Sequence, residues 1–257
     1  MGYNDIDLKN FDNSLSSTNC KLSILNTCYN SGGYISHNKN LYNSIPNSNF
    51  FKIILKKAIE GTPVIKIGSG DFKVMIVAGV HGNELPPQLA CLYMIKYLIN
   101  RNIKGSVYLI PFAAPNATMN NSRSFDGMDL NRSTLDVGSV TNRIFEVIKK
   151  ENIIAVGDFH STSINSNPGR DAIFCTLSPT VESYNIGKYV SERVGCDLLK
   201  YDIAGSKFKG ALEDECNLIG IPSITAEVLS PFGYLNENSF KRSMFQMYSF
   251  LDYFKIL

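Results

Sequence analysis

One stretch of this 257-residue chain constrains its fold more than any other. Residues 72–80, with the sequence FKVMIVAGV, are apolar at positions that would face both sides of a strand. A strand of that kind belongs in the middle of a sheet whose two faces are both covered by helices. The stretch therefore predicts a central, fully buried strand.

Strand-like and helix-like segments alternate along the chain from residue 49 onwards. Apolar residues recur at helical spacing over 49–60, 84–100, 137–151, 180–194, 210–218 and 239–255. Short apolar runs predict strands at 63–67, 106–112, 153–159, 171–176 and 221–229. We expect an α/β fold with a mixed, mostly parallel central sheet and helices on both faces. The glycine-rich turn at 68–70 further predicts a hairpin that joins 63–67 to 72–80.

The chain shows no internal repeat and no proline-rich linker, so we expect a single domain over residues 1–257. Residues 1–48 are rich in Asn, Ser and Gly. They are expected to form an irregular N-terminal extension with short strands packed on that domain.

Composition bears mainly on partners and location. The 25 Lys and Arg residues nearly balance the 23 Asp and Glu residues, so no strong field attracts nucleic acid or an anionic membrane. The longest apolar runs have about eight residues, far fewer than the roughly 20 needed to cross a bilayer. The first residues lack an apolar signal-peptide stretch, and the six cysteines form no CxxC pair. We predict a cytoplasmic protein with reduced thiols that binds neither nucleic acid nor membrane.

Two of the three histidines directly follow or end predicted strands. His81 opens the segment HGNE, and Glu84 lies at the start of the next predicted helix, so both side chains can turn toward one corner. His160 lies in DFHST at the end of another strand. If the two strands are parallel neighbours, the three side chains meet at the carboxyl edge of the sheet, where ligands bind in open α/β folds.

Two His and one Glu with a fourth position left open form the ligand set of a catalytic zinc. Such an ion polarises a carbonyl and activates water, which indicates hydrolysis. For either histidine taken alone, a local hydrogen bond at a strand end is the simpler alternative. The joint occurrence of further polar groups in order along the chain favours the metal site.

Those further groups suit the steps of an amide hydrolysis. Glu227, near the end of the apolar strand 221–229, is a candidate general base for the attacking water. Arg123 is a candidate donor to the developing oxyanion. Asn131 and Arg132 present an amide beside a guanidinium, a pair suited to binding a carboxylate. A solvated strand-end carboxylate and unpaired loop arginines remain the alternatives.

These motifs together resemble the succinylglutamate desuccinylase and aspartoacylase family, which has a zinc carboxypeptidase-like fold. The resemblance rests on HGNE, on RxxDGxDLNR at 123–132, on DFHST and on the strand that carries Glu227. It spans roughly residues 63–230. The resemblance implies one Zn²⁺ per chain, a general base, a residue on the oxyanion side and a carboxylate clamp. Carried over to this sequence, the zinc ligands are His81, Glu84 and His160, the base is Glu227, the oxyanion residue is Arg123, and the clamp is Asn131 with Arg132.

The chain departs from this family in two respects. Aspartoacylase-type enzymes have an Arg shortly before the catalytic Glu that holds a second substrate carboxylate, and residues 211–226 contain none. Strict N-acetylaspartate specificity is therefore not expected, and Arg170 becomes the alternative substrate-binding cation. The family's C-terminal β-rich domain is also not expected here, since the last predicted element is the helix 239–255.

We therefore predict a zinc-dependent hydrolase that cleaves an amide bond of an N-acyl amino acid or a similar small carboxylate. The first alternative is a zinc carboxypeptidase or amidase that acts on a short peptide. The second is a catalytically silent module that binds a carboxylate. The sequence leaves open whether the chain forms a homo-oligomer.

Overall fold

The structure, a computed structural model, describes residues 6–7, 20–25 and 30–257. The strands of the described residues join in one sheet with the order β1-β2-β3-β5-β4-β6-β9-β7-β8. Their bounds are Ile6–Asp7 (β1), Cys20–Leu25 (β2), Thr62–Gly68 (β3), Lys73–Ala78 (β4), Ser106–Ile110 (β5), Ala155–Thr162 (β6), Ala172–Ser178 (β7), Asp197–Ile203 (β8) and Ser223–Leu229 (β9).

The middle of this sheet is parallel. Strands β5, β4, β6 and β9 run in the same direction, whereas β1, β2 and β3 pair antiparallel along one side. On the other side β7 is antiparallel to β9, and β8 is parallel to β7. The predicted α/β class with a mixed sheet is therefore confirmed.

Helices cover both faces of the sheet. Their bounds are Lys39–Tyr42 (α1), Asn49–Glu60 (α2), Leu85–Ile99 (α3), Pro115–Met119 (α4), Val140–Lys150 (α5), Val181–Val194 (α6), Leu212–Leu218 (α7) and Glu237–Tyr253 (α8). None of the described helices is long and apolar enough to cross a bilayer.

Strand β4 shows why both faces are covered. Val74 and Ile76 belong to a core cluster that contains residues of α2, α3, α6 and α8. Met75 and Val77 belong to a second cluster with residues of α5 and α7. Successive side chains of a strand point to opposite faces, so each of the two cores receives alternate residues of β4. The prediction of a fully buried central strand is confirmed.

The predicted hairpin between β3 and β4 is wrong. Strand β5 lies between them and pairs with both. The turn that was expected to close the hairpin is instead attached to the start of β5: Gly70 N donates to Gly105 O (3.3 Å), and Ser106 Oγ donates to Gly70 O (2.8 Å). Gly68 has a φ of +89°, and a Cβ there would lie 2.2 Å from Gly105 O. Because of these contacts, the chain enters β4 on the other side of β5 and does not pair with β3.

The remaining element predictions differ from the structure mainly at the ends. Every predicted helix and strand from residue 49 onwards is present within three residues of its expected bounds. The sequence did not predict β8 or the short helix α4. Of the predicted extension 1–48, the described part supplies β1, β2 and α1, and β2 pairs with β3 over six residues. Cys28 lies outside the described residues, while Cys91, Cys175, Cys196 and Cys216 are free thiols.

Candidate active site

The parallel pairing of β4 and β6 brings the two motif histidines together. Ala78 and Phe159 are register partners, His81 follows the end of β4, and His160 lies within β6. The two imidazole centroids are 5.0 Å apart. Both side chains are almost completely buried, at 2% and 1% exposure.

Glu84 joins the two histidines. It is the N-cap residue of α3, and its carboxylate lies near both rings. Oε1 is 2.8 Å from His81 Nδ1, Oε2 is 2.8 Å from His160 Nδ1, and Ser161 N donates to Oε2 at 3.1 Å. One ligand atom from each of the three residues lies within 4.8 Å of those of the other two. This spacing allows all three to contact one ion.

The corner between β4 and α3 has a tightly fixed backbone. The Gln88 side-chain amide donates to Gly82 O (3.1 Å) and to Glu84 O (2.9 Å), and Gln88 Oε1 accepts from Thr118 Oγ1. A Cβ on Gly82 would lie 2.1 Å from the carbonyl carbon of Ala117. Only glycine therefore fits at position 82, where the backbone between His81 and Glu84 closely approaches Ala117.

A carboxylate faces the second nitrogen of each imidazole. His81 Nε2 hydrogen-bonds Asp129 Oδ1 at 2.9 Å. His160 Nε2 lies 3.0 Å from Asp158 Oδ2, although the angles are not those of a hydrogen bond. Outer carboxylates of this kind orient histidine ligands and increase their basicity. Sequence reasoning gave neither aspartate a role, although an acidic residue inside the apolar strand β6 was an available signal.

Electrostatics in the corner favour a cation. Burial alone would raise the pKa of Glu84, but the charges and hydrogen bonds of His81 and His160 hold it well below its usual range. Burial alone would lower the pKa of His160, but Asp158 and Glu84 raise it well above its usual value. The pKa of Asp129 is lowered, against burial, by its contacts with His81 and Arg123. Negative groups that favour a protonated imidazole also favour a bound metal ion.

The donor set fits a divalent metal ion. Two imidazole nitrogens and one carboxylate make a mixed nitrogen and oxygen set that zinc accepts, and they leave a coordination position free for water or substrate. A bound metal ion would replace the imidazole proton that the neighbouring carboxylates favour.

Glu227 lies next to this group. It is the register partner of His160 across the parallel β6–β9 pair. The residue is partly buried, and its Oε2 is buried without a hydrogen-bond partner among the described residues. Burial raises the pKa of Glu227 well above its usual range, and Glu84 and Asp158 add to this, while His160 and Arg123 oppose it.

His81, Glu84 and Glu227 border a cavity of about 380 Å³. Arg123 donates to Asp129 Oδ2 at 3.1 Å, and its Nη1 lies 3.5 Å from Glu84 Oε1. The Arg132 guanidinium lies 5.2 Å from the centroid of the Phe208 ring. Asn131 Oδ1 is buried and has no hydrogen-bond partner within the described part of the chain. Of the predicted site residues, His81, Glu84, Arg123, Asn131, Arg132 and Glu227 line the cavity.

Arg170 is the predicted site residue that lies outside both the cavity wall and the His–Glu–His group. Its side chain is exposed and forms an ion pair with Asp197 at the start of β8, and it is not among the residues that line the cavity. A substrate contact of Arg170 therefore stays a prediction, and in the structure its guanidinium is paired with a carboxylate of the unpredicted strand β8.

Sequence reasoning also missed part of the cavity wall. Glu213 of α7 is 3% exposed and lines the cavity. It lies in a run of three acidic residues at the start of a helix, a position that acidic residues occupy for helix stability alone. Its burial was not evident from that pattern. The other unpredicted lining residues include Ser161, Phe174, Phe208 and Thr225.

Part of the chain matches a known protein family. Residues 71–169 match the family model of the succinylglutamate desuccinylase/aspartoacylase catalytic domain. The matched segment contains His81, Glu84, Arg123, Asn131, Arg132 and His160, and the resemblance seen in the motifs is confirmed. A search of curated protein sequences finds no match.

Solved structures share the fold. An aspartoacylase family protein from Mesorhizobium loti superposes with a TM-score of 0.64 at 15% identity, covering 100% of this chain and 72% of that one. A succinylglutamate desuccinylase/aspartoacylase from Rhodobacter sphaeroides gives 0.60 at 17% identity, with 78% and 62% covered. The murein-tripeptide amidase MpaA from Escherichia coli O157 gives 0.53 at 16% identity, with 73% and 85% covered. This chain thus spans less than two thirds of the Rhodobacter protein.

Proposed function

We propose that this chain, which carries the matched segment of the succinylglutamate desuccinylase/aspartoacylase catalytic domain, is a zinc-dependent hydrolase of small N-acyl amino acids or similar carboxylates. One observation carries the proposal. A buried His–Glu–His group lies beside a carboxylate, Glu227, whose Oε2 has no partner among the described residues, and Glu227 borders the same cavity as His81 and Glu84 of that group.

The proposed metal ligands are His81 Nδ1, the Glu84 carboxylate and His160 Nδ1, which hold one zinc ion per chain. A zinc ion in such a site supplies a Lewis acid that polarises a carbonyl and lowers the pKa of water. The protein's own part is to fix these donors. Asp129 and Asp158 orient the imidazoles so that each Nδ1 points toward Glu84.

Glu227 is the proposed proton carrier. Its Oε2 takes a proton from the attacking water and delivers it to the nitrogen of the leaving amine. A carboxyl whose pKa is raised holds that proton between the two transfers more readily than a solvated one does. Its place in the β9 backbone next to His160 keeps it close to the ligand group.

Three further residues are proposed to bind the substrate. The Arg123 guanidinium, whose Nη1 is 3.4 Å from His81 Nδ1, stabilises negative charge that develops on the carbonyl oxygen. Asn131 and Arg132 bind the substrate carboxylate, to which the Asn131 Nδ2 amide and the Arg132 guanidinium donate at the cavity. Residues 1–257 are proposed to act as one hydrolase domain, which the single sheet of the described residues supports.

A peptide substrate is the second candidate, supported by the shared fold of the murein-tripeptide amidase. A silent carboxylate-binding module is less well supported, because binding alone needs no buried proton carrier beside a metal group. The deciding experiment assays zinc-loaded protein against a panel of N-acyl amino acids and a panel of short peptides. We expect release of free amino acid from the first panel. Turnover of peptides only, or of neither panel, would overturn the proposal.

A further inference from the structure

Glu213 is a buried carboxyl group in the wall of the cavity that the proposed chemistry does not use. It lies in the first turn of α7 and is 3% exposed. The segment 211–226, which leads to the proposed base Glu227, contains no Lys or Arg. Three residues of this segment line the cavity, namely Ala211, Glu213 and Thr225. This side of the cavity is therefore acidic, with no positive charge of its own.

The partners of Glu213 are uncharged. Asn217 Nδ2 donates to its Oε1 at 2.9 Å, and the Thr225 hydroxyl is a second hydrogen-bond partner. No described cation forms an ion pair with it, and the two cavity arginines are engaged elsewhere: Arg123 with Asp129, and Arg132 over Phe208. Burial raises the pKa of Glu213 well above its usual range, and Asp214 and Asp158 add to this. A cationic ligand group would offset the free-energy cost of burying the ionised Glu213 carboxylate.

Two independent features of the same cavity also suit a cation. Phe174 and Phe208 both line it, with ring centroids 5.6 Å apart in an edge-to-face arrangement. The Phe208 ring already has the Arg132 guanidinium near it, and aromatic faces attract ammonium and guanidinium groups. Ser161 Oγ, in a residue 1% exposed, has no hydrogen-bond partner among the described residues and can accept from an ammonium group.

We propose that Glu213 is a specificity-determining residue that selects substrates with a positively charged side chain. This inference rests on the proposed function and names its substrate class: N-acyl derivatives of basic amino acids. Asn131 and Arg132 hold the α-carboxylate, and the ammonium or guanidinium of the side chain pairs with Glu213 beside Phe174 and Phe208. An acidic side chain would meet a like charge there and be rejected.

The test measures binding rather than turnover. Zinc-loaded Glu227→Gln protein is titrated calorimetrically with Nα-acetyl-lysine and with Nα-acetyl-norleucine, which has a hydrocarbon chain of the same type without the ammonium group. We expect the dissociation constant of acetyl-lysine to be about tenfold or more lower than that of acetyl-norleucine. This is the effect expected from one buried hydrogen bond to a charged group. Adding Glu213→Gln should remove the difference, because Gln can still accept from Asn217 but carries no charge. Adding Glu192→Gln, which removes a charge from a side chain 66% exposed, should preserve it.

Three results overturn the inference: equal binding of the two ligands or no binding of acetyl-lysine, tighter binding of Nα-acetylglutamate, or a preference that survives Glu213→Gln. The comparison of two ligands on protein with Glu213 intact needs no substitution at this site, so a folding defect of the variant cannot mask the result. Hydrolysis by the unsubstituted zinc-loaded chain is assayed separately. Selective binding without hydrolysis refutes the proposed function alone, and hydrolysis without selectivity refutes the Glu213 assignment alone.

Discussion

His160 and Glu227 are in register across the parallel pair β6–β9, so a proposed metal ligand and the proposed proton carrier are held by adjacent backbone strands. His81 follows β4, the neighbour of β6 on its other side. The three adjacent parallel strands β4, β6 and β9 thus place the site residues at one edge of the sheet. Ligands bind at this edge in open α/β folds.

Replacing Glu227 should abolish turnover without releasing the metal. The Glu227→Gln variant keeps the size of the side chain but cannot accept a proton, and general acid–base catalysis contributes about 10²-fold or more to such rates. We expect kcat to fall by at least that factor while zinc content stays constant. The measurements are kcat at saturating substrate and metal analysis of the same sample. Glu237→Gln, at a side chain 79% exposed, serves as the control, and an unchanged kcat for Glu227→Gln would disprove the role.

Replacing Asp158 should weaken metal binding although it does not contact the ion. Asp158 is 0% exposed and lies 3.0 Å from His160 Nε2, so its charge makes His160 a better donor. Loss of such an outer carboxylate costs about 10–100-fold in metal affinity. Chelator competition on Asp158→Asn should show a loss in that range. The exposed Asp136→Asn serves as the control, and equal affinities for the two variants would contradict the assignment.

Replacing Gly82 should destabilise the fold and disturb the site together. A Cβ there would lie 2.1 Å from backbone of Ala117, so Gly82→Ala forces the backbone between His81 and Glu84 to move. We expect the free energy of unfolding to fall by about 2 kcal/mol or more, as for other overpacked sites. Urea unfolding followed by circular dichroism, with chelator present, measures this.

Gly127→Ala is the comparison for that variant. Gly127 has a φ of +75° but nothing lies within 4 Å of its added Cβ, so the expected loss is only about 1 kcal/mol from backbone strain. An equal or smaller loss for Gly82→Ala would show that the close approach to Ala117 is unimportant.

The fold was predictable where apolar patterns are continuous. Strand β4 receives core contacts on both faces, and its sequence shows this directly. Strand β8 was missed because it is partly exposed along its whole length and contains Asp197, Lys200 and Asp202. The pairing of β3 was predicted wrongly because a glycine turn does not specify which strand pairs next. That choice depends on contacts with Gly105 and Ser106, far along the chain.

The candidate site was predictable to a similar degree. His81, Glu84 and His160 follow or lie in apolar strands, and strand order brings such positions together. Arg170 neither follows nor lies in an apolar strand. Its ion pair with Asp197 depends on strand β8, which the sequence did not predict. The cavity role of Glu213 depends on how α7 packs against the sheet, which no local pattern in the sequence reveals.

The central claim is that His81, Glu84 and His160 bind one metal ion, and metal analysis tests it most directly. Native protein, His160→Ala and His37→Ala would each be loaded with zinc, desalted and analysed by mass spectrometry of the metal. His37 is exposed, stacks on Tyr34 and lies outside the His–Glu–His group, so it is the matched control. We predict about one zinc per chain in the native protein and in His37→Ala, and almost none in His160→Ala. Equal zinc content in all three proteins would contradict the account.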